Sequence, residues 1–217
     1  MSEITLDTIE RGMKATCGTV LRNEIYFCEL DALAGDGDFG NSLAAGFRVI
    51  EADLPTLDKS TINGWLLKIS MIISKHTGGS SGPLWGTAFM RAAMICKDKT
   101  VITLEDMEKI VQAAIEGIQA RGGAQPGDKT LIDSLIPVRD AIAAHKADGD
   151  TSAALRDSAN VAEEAAETAK AWVAKRGRQQ FTGDRSANTP DPGIVAIATM
   201  LNDICAKFGV QAPTKTH

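Results

Sequence analysis

The chain has 217 residues, a net charge of −5, 44% hydrophobic residues and 24% charged ones. That is enough apolar material for a buried core in one domain. No basic run is present to displace counterions from a nucleic-acid backbone or to hold an anionic membrane surface, so both partner classes are excluded. Aromatics are only 5% and alanine is abundant after residue 110, a composition that favours close-packed helices over sheets. The opening MSEITLDTIE has no signal-peptide core, no apolar run is long enough to span a bilayer, and a cytoplasmic location is expected.

An apolar period near 3.6 predicts eight helices, at about 5–29, 41–54, 61–76, 83–97, 104–120, 130–146, 151–175 and 193–207. No alternating strand pattern interrupts them. Thr103 with Asp106 resembles a capping box at the start of the fifth helix, and Asp150 or Thr151 can cap the seventh. One domain over residues 1–210 is expected, followed by a frayed tail at 211–217. Cys17, Cys28, Cys96 and Cys205 form no C-x-x-C pair and fall in helix-like stretches, which predicts buried free thiols. His76 ends the third helix and is expected as a cap there; His145 and His217 are expected on the solvated surface.

The connections are of two kinds. Those at 34–40, 77–82, 121–129 and 176–192 are rich in glycine and polar residues; PTLDKS, KDKTVI and HKADGD are plain. The kinds alternate. If consecutive helices run antiparallel, every odd connection lies at the same end of the bundle, so the four glycine-rich loops meet there. Helix termination accounts for one glycine per loop, not for four dense loops on odd connections only.

The first of these loops holds Asp31, Asp36 and Asp38 among glycines. Carboxylates this close repel unless a cation neutralises them, and hard oxygen ligands suit Mg²⁺ or Ca²⁺. An EF-hand is ruled out, because the sixth position from Asp36 is Asn41 and the twelfth is Phe47. Gly40, Asn41 and Ser42 then open a helix, whose N–H groups can hold an anion. Gly78 to Gly82 make a second such helix start, with Pro83 in the first turn. The third loop, Gly127-Asp128-Lys129-Thr130, is not a P-loop: Asp128 intrudes and no strand precedes it. The fourth carries Arg176 and Arg178, able to neutralise phosphate, and later Asp191-Pro192-Gly193. No Ser-His-Asp spacing supports nucleophilic catalysis. The residues alone point to a metal-nucleotide or metal-phosphate site on a helical bundle.

Four ordered segments, LDALAGDGDFGNS, GGSSGPLWGT, RGGAQPGDKTLIDSLIP and KRGRQQFTGDRSANTPDPG, together resemble the nucleotide-binding L subunit of dihydroxyacetone kinases over almost the whole chain. The resemblance implies an all-α fold, an eight-helix antiparallel up-and-down barrel with ATP or ADP and two Mg²⁺ at one end. It implies Asp31, Asp36 and Asp38 as metal ligands. It also implies nucleotide contacts at Phe39, Gly40, Asn41, Ser42, Ser80, Ser81, Gly122, Leu131, Arg178, Asp191 and Gly193. It further implies a separate K subunit that carries the ketose, dihydroxyacetone or a four-carbon relative, as partner. A second copy of the chain and a phosphotransferase-system protein are further candidate partners. Phosphotransferase-linked members often show D-A-D-H-G, where this chain has Asp36-Gly37-Asp38-Phe39-Gly40. That departure points to free exchange of ATP rather than permanently held ADP. Two rival readings are a metal-dependent phosphohydrolase acting without a partner and a non-catalytic ADP-binding regulatory protein.

Overall fold

Apolar residues at every third or fourth position give each helix one face to bury, and the computed structural model, which describes residues 3–212, is assembled from such faces. Among the described residues the α-helices are α1 (Leu6–Arg22), α2 (Glu24–Ala32), α3 (Phe39–Asp53), α4 (Ile62–His76), α5 (Ser81–Ile95), α6 (Leu104–Gly122), α7 (Ile132–Ala144), α8 (Thr151–Lys170) and α9 (Pro192–Phe208). A 3-10 segment, Arg178–Ser186, lies in the last glycine-rich connection. Each helix from α3 onward packs on the next; α9 returns to α1, and both α1 and α2 pack on α3. The ring closes, so the all-α up-and-down architecture holds.

The count of eight needs correction, because the first expected helix is two. Asn23 breaks it: its backbone leaves the helical region, and its side-chain amide joins its own N–H on Thr19 O, at 2.8 and 3.1 Å, closing α1 there. A second correction lies at α8, which stops at Lys170 rather than near 175. The carbonyls of Lys170 and Trp172 there accept from the Lys129 ammonium, a partner forty residues away that no local signal announces. The third is a pair of two-residue strands, β1 (Ile4–Thr5) and β2 (Val101–Ile102), antiparallel with Ile4 opposite Ile102. They tie the chain start to the connection before α6.

Phe27, Phe47 and Trp65 are fully buried in the core, each contributing about 1.5–3 kcal/mol by loss of apolar surface. Ala154, Ala162, Ala166 and Ala169 line the inner face of α8, and small side chains let α9 approach it closely. The capping box Thr103–Asp106 forms as expected, and Asp150 caps α8 by accepting from Ser152 N and Ala153 N. All four cysteines are free, but Cys28 is only half-buried, against the expectation of four buried thiols. His145, expected to be solvated, bridges Asp148 and Asp157 at 3.3 and 2.8 Å. Part of the expected tail, including His217, lies outside the described residues. No helix among them is long and apolar enough to cross a membrane.

Candidate functional site

Asp31 lies in the last turn of α2 and is buried, and its carboxylate organises the loop that follows. Oδ2 accepts from Gly37 N at 2.9 Å, Asp38 N at 3.1 Å and Phe39 N at 3.4 Å. Gly37 supplies the left-handed turn (φ 76°) that brings these amides round. The fold thereby delivers Asp36 and Asp38, both exposed, beside Asp31, with one carboxylate oxygen of each within 4.8 Å of the others. Two oxygens across one octahedral Mg²⁺ lie about 4.2 Å apart, twice a bond of about 2.1 Å. Adjacent ligand oxygens on that ion stand about 3.0 Å apart, so side-chain rotation of the exposed Asp36 and Asp38 would close the cluster on a hard cation. Burial pushes the Asp31 carboxyl above its ordinary range, opposed by the Phe39 amide and reinforced by Asp36. The nearest positive group is Arg178, whose Nε stands 2.8 Å from Asp36 Oδ2. Donor type, spacing and unbalanced negative charge all fit Mg²⁺.

The helix starts distinguish the two ends of the barrel. At the plain end, α1, α4, α6 and α8 begin with Thr5, Thr61, Thr103 and Asp150, and each side chain accepts from the first turn. At the glycine-rich end, α3, α5 and α7 begin at Asp38, Ser80 and Leu131 with no side-chain cap. With no capping side chain at the N-cap position, the positive end of each helix dipole is left facing the cleft, the setting in which a helix start holds an anion. The fourth start at that end, α9, is capped by Asp191, which accepts from Ile194 N at 2.8 Å. Burial raises the Asp191 carboxyl to about 7, against the pull of the Ile194 amide and of Lys129.

These elements surround one cleft of about 920 Å³, and all four glycine-rich loops contribute to its wall. The antiparallel inference is thus met. Asp31, Asp36, Asp38, Phe39, Ser42, Ser80, Ser81, Gly122, Leu131, Arg178, Asp191 and Gly193 line it. Gly40 and Asn41 do not. Gly40 is buried where α3 crosses α2: a Cβ there would fall 2.9 Å from Cys28 N and closer still to Glu24 O. Asn41 N donates to Cys28 Sγ at 3.3 Å, and the residue is exposed. Opposite the carboxylates, Leu84, Ile118, Ala124 and Leu131 form an apolar slot with Ile132 behind them. Gly122 and Gly193 keep it open, since a Cβ would lie 3.1 Å from Leu84 and 3.6 Å from the Leu131 side chain respectively.

Sequence reasoning missed Leu84, Ile118, Lys129 and Gln179 in this wall, while Arg176, read as able to neutralise phosphate, does line it. Apolar residues carry no chemical signature, and Lys129 was set aside together with the P-loop reading. His76 closes α4, is exposed, and is not among the cleft residues; no histidine is, among those described.

Residues 33–206 match the profile of the DAK2 domain. The chain is 32% identical over 187 residues to the PEP-dependent dihydroxyacetone kinase, ADP-binding subunit DhaL, of Escherichia coli K12, covering 85% of this chain and 89% of that one. It is 36% identical over 182 residues to the L-erythrulose 1-kinase of Mycolicibacterium smegmatis, covering 82% of this chain but 32% of that longer protein. The fold superposes on the dihydroxyacetone kinase from C. freundii, crystallised in complex with AMP-PNP and Mg²⁺, with a TM-score of 0.72 and 24% identity, over 95% of this chain and 35% of that one. With the match extending across most of its length, the chain belongs to the DAK2 domain family.

Proposed function

We propose that the chain is the nucleotide-binding subunit of a short-chain ketose kinase, a single helical domain over residues 1–210 that presents Mg-ATP to a ketose held by a separate K subunit. The observation that carries this reading is the pairing, in one cleft, of three clustered carboxylates with three helix N-termini whose N-cap side chains make no capping bond. Carboxylates alone would repel a polyphosphate, and helix starts alone would bind any anion. Side by side they suit a phosphate chain bridged to metal. Asp31, Asp36 and Asp38 would hold the cation, one ion or two. Magnesium bound there would offset charge on the phosphates during transfer.

The chain's own groups do the rest. The starts of α3 and α5, with Ser42, Ser80 and Ser81, face the phosphates, and Arg178 lies beside them as a further positive group. The slot of Leu84, Ile118 and Leu131 takes the flat, apolar base. Phe39 packs edge-on against Phe27, with ring centroids 6.2 Å apart, and presents no polar atom to a phosphate. This supports free exchange of ATP, although the Escherichia coli relative is named PEP-dependent.

The test is a coupled assay with ATP, Mg²⁺, a K subunit and a panel of three- and four-carbon ketoses. Sustained product formation with ATP as sole donor is expected. A single turnover rescued only by a phosphotransferase-system donor would show ADP retained. Phosphate release without a K subunit would make the protein a phosphohydrolase, and nucleotide binding with no turnover under any condition would make it a regulatory binder.

A further inference from the structure

Lys129 is a buried cation that the reaction above does not use. It sits at the Gly127-Asp128-Lys129-Thr130 turn, directly before α7, in the position where a phosphate-binding lysine would be sought. Yet the residue is 1% exposed, and its ammonium is taken up by the protein's own main chain. It donates to three main-chain carbonyls: Trp172 O at 2.9 Å, Ser186 O at 2.5 Å and Lys170 O at 3.4 Å. Two of these belong to the frayed C-terminal turn of α8, the negative end of that helix, where a cation is favoured. The third lies at the other side of the last glycine-rich connection. One side chain therefore pins both ends of the segment that carries Arg178.

Neighbouring contacts converge on the same segment. Asp128 O accepts from Lys175 N at 3.0 Å, and the Asp128 carboxylate takes Arg176 Nε at 3.3 Å. Ser186 Oγ accepts from Ala174 N at 2.9 Å and donates to Gly183 O. Between the pinned ends the segment is loosely held. Gly183 breaks the 3-10 turn, Phe181 is 82% exposed, and both amide atoms of the buried Gln179 lack a partner. Lys129 also holds a left-handed backbone (φ 64°), a conformation costly for any residue with a Cβ. A strained backbone and a desolvated ammonium are retained together at one position, and what they jointly achieve is the placement of the loop.

We propose that Lys129 is a positioning residue for nucleotide binding, its ammonium fixing the base of the 171–190 connection so that Arg178 and Asp191 face the cleft. The proposal rests on the nucleotide-subunit reading and deepens it. The experiment uses Lys129→Met, which keeps the length and removes the charge, and Lys129→Gly, which removes the side chain while relieving the left-handed strain. Mg-ADP affinity is measured by calorimetry on the full chain, and amide hydrogen exchange is followed with and without Mg-ADP. Expected are a dissociation constant raised at least tenfold, faster exchange confined to 171–190, and protection restored there at saturating Mg-ADP. Binding within twofold of the unsubstituted chain in either folded variant would overturn the proposal. So would exchange accelerated equally in the core helices, or failure of both variants to fold, since either would make Lys129 a general stabiliser. If the unsubstituted chain itself does not bind Mg-ADP, the nucleotide-subunit reading has failed and takes this proposal with it; loss in the variants alone isolates Lys129.

Discussion

Gly35→Ala tests whether the buried Asp31 carboxylate is the keystone of the metal loop. Gly35 has no left-handed φ, so alanine meets no backbone objection. The obstacle is space: a Cβ at this position would lie 2.8 Å from Asp31 Cγ and 2.8 Å from Asp31 O, and nearer still to Oδ1, where ordinary contact begins at 3.4 Å. The carboxylate must retreat by more than half an ångström, and its three bonds to Gly37, Asp38 and Phe39 amides retreat with it. Displacements near 1 Å in a positioned constellation cost about 100-fold, or roughly 2.7 kcal/mol. The expected outcome is a loss of about that size in Mg-ADP affinity by calorimetry, with the helical circular dichroism spectrum retained. Gly12→Ala is the control: nothing lies within 4 Å of its added Cβ, it stands inside α1, and it should leave binding unchanged while stabilising the helix by up to about 1 kcal/mol. A folded Gly35→Ala chain that binds Mg-ADP within twofold of the unsubstituted protein would refute the keystone role.

Asp36→Asn removes one of three clustered charges and should weaken Mg-nucleotide binding by at least about tenfold. Asp58→Asn at the plain end, where the carboxylate only holds Ser60, should leave binding alone in the same titration. Asp191 is held near 7 when folded, against an ordinary carboxyl value of 3.8, so the native state binds the extra proton between those values. Stability of the nucleotide-free chain should therefore fall as pH rises from about 4 to 7, by this group's share. Urea midpoints at pH 5 and pH 8 measure the fall; Asp191→Asn should remove that share, and an unchanged slope would show the carboxyl to be ordinary. Burial pushes Cys17 up to about 12 and Cys96 and Cys205 to about 11, so a thiol reagent at neutral pH should label Cys28 first in the native chain. Rapid native labelling of Cys17 would contradict the packing of α1.

Much of the architecture was legible because it is periodic. Apolar spacing located every stave of the barrel, and the alternation of glycine-rich with plain connections placed the site at one end before any contact was known. What local patterns could not carry was decided by partners distant in sequence. The end of α8 depends on Lys129, and the strand pair depends on Ile102 reaching Ile4. Asn23 is different, since its break is local, but an asparagine within a helical period reads as a solvated position until its amide is seen on Thr19 O. The carboxylates of the site were legible because three acids among glycines need a cation. The apolar slot was not, because Leu84 and Ile118 look like any core residues until the helices bring them to the same wall. Gly40 has a role its neighbours do not announce: it lets α2 and α3 cross closely.

The central claim is that one cleft binds nucleotide through a metal. Calorimetric titration of ADP into the purified chain, with Mg²⁺ and again with excess chelator, tests it most directly. The account predicts saturable binding at one site with Mg²⁺ and at least a tenfold loss without it, because Asp31, Asp36 and Asp38 would then face the phosphates unneutralised. Equal affinity in the two titrations would contradict it.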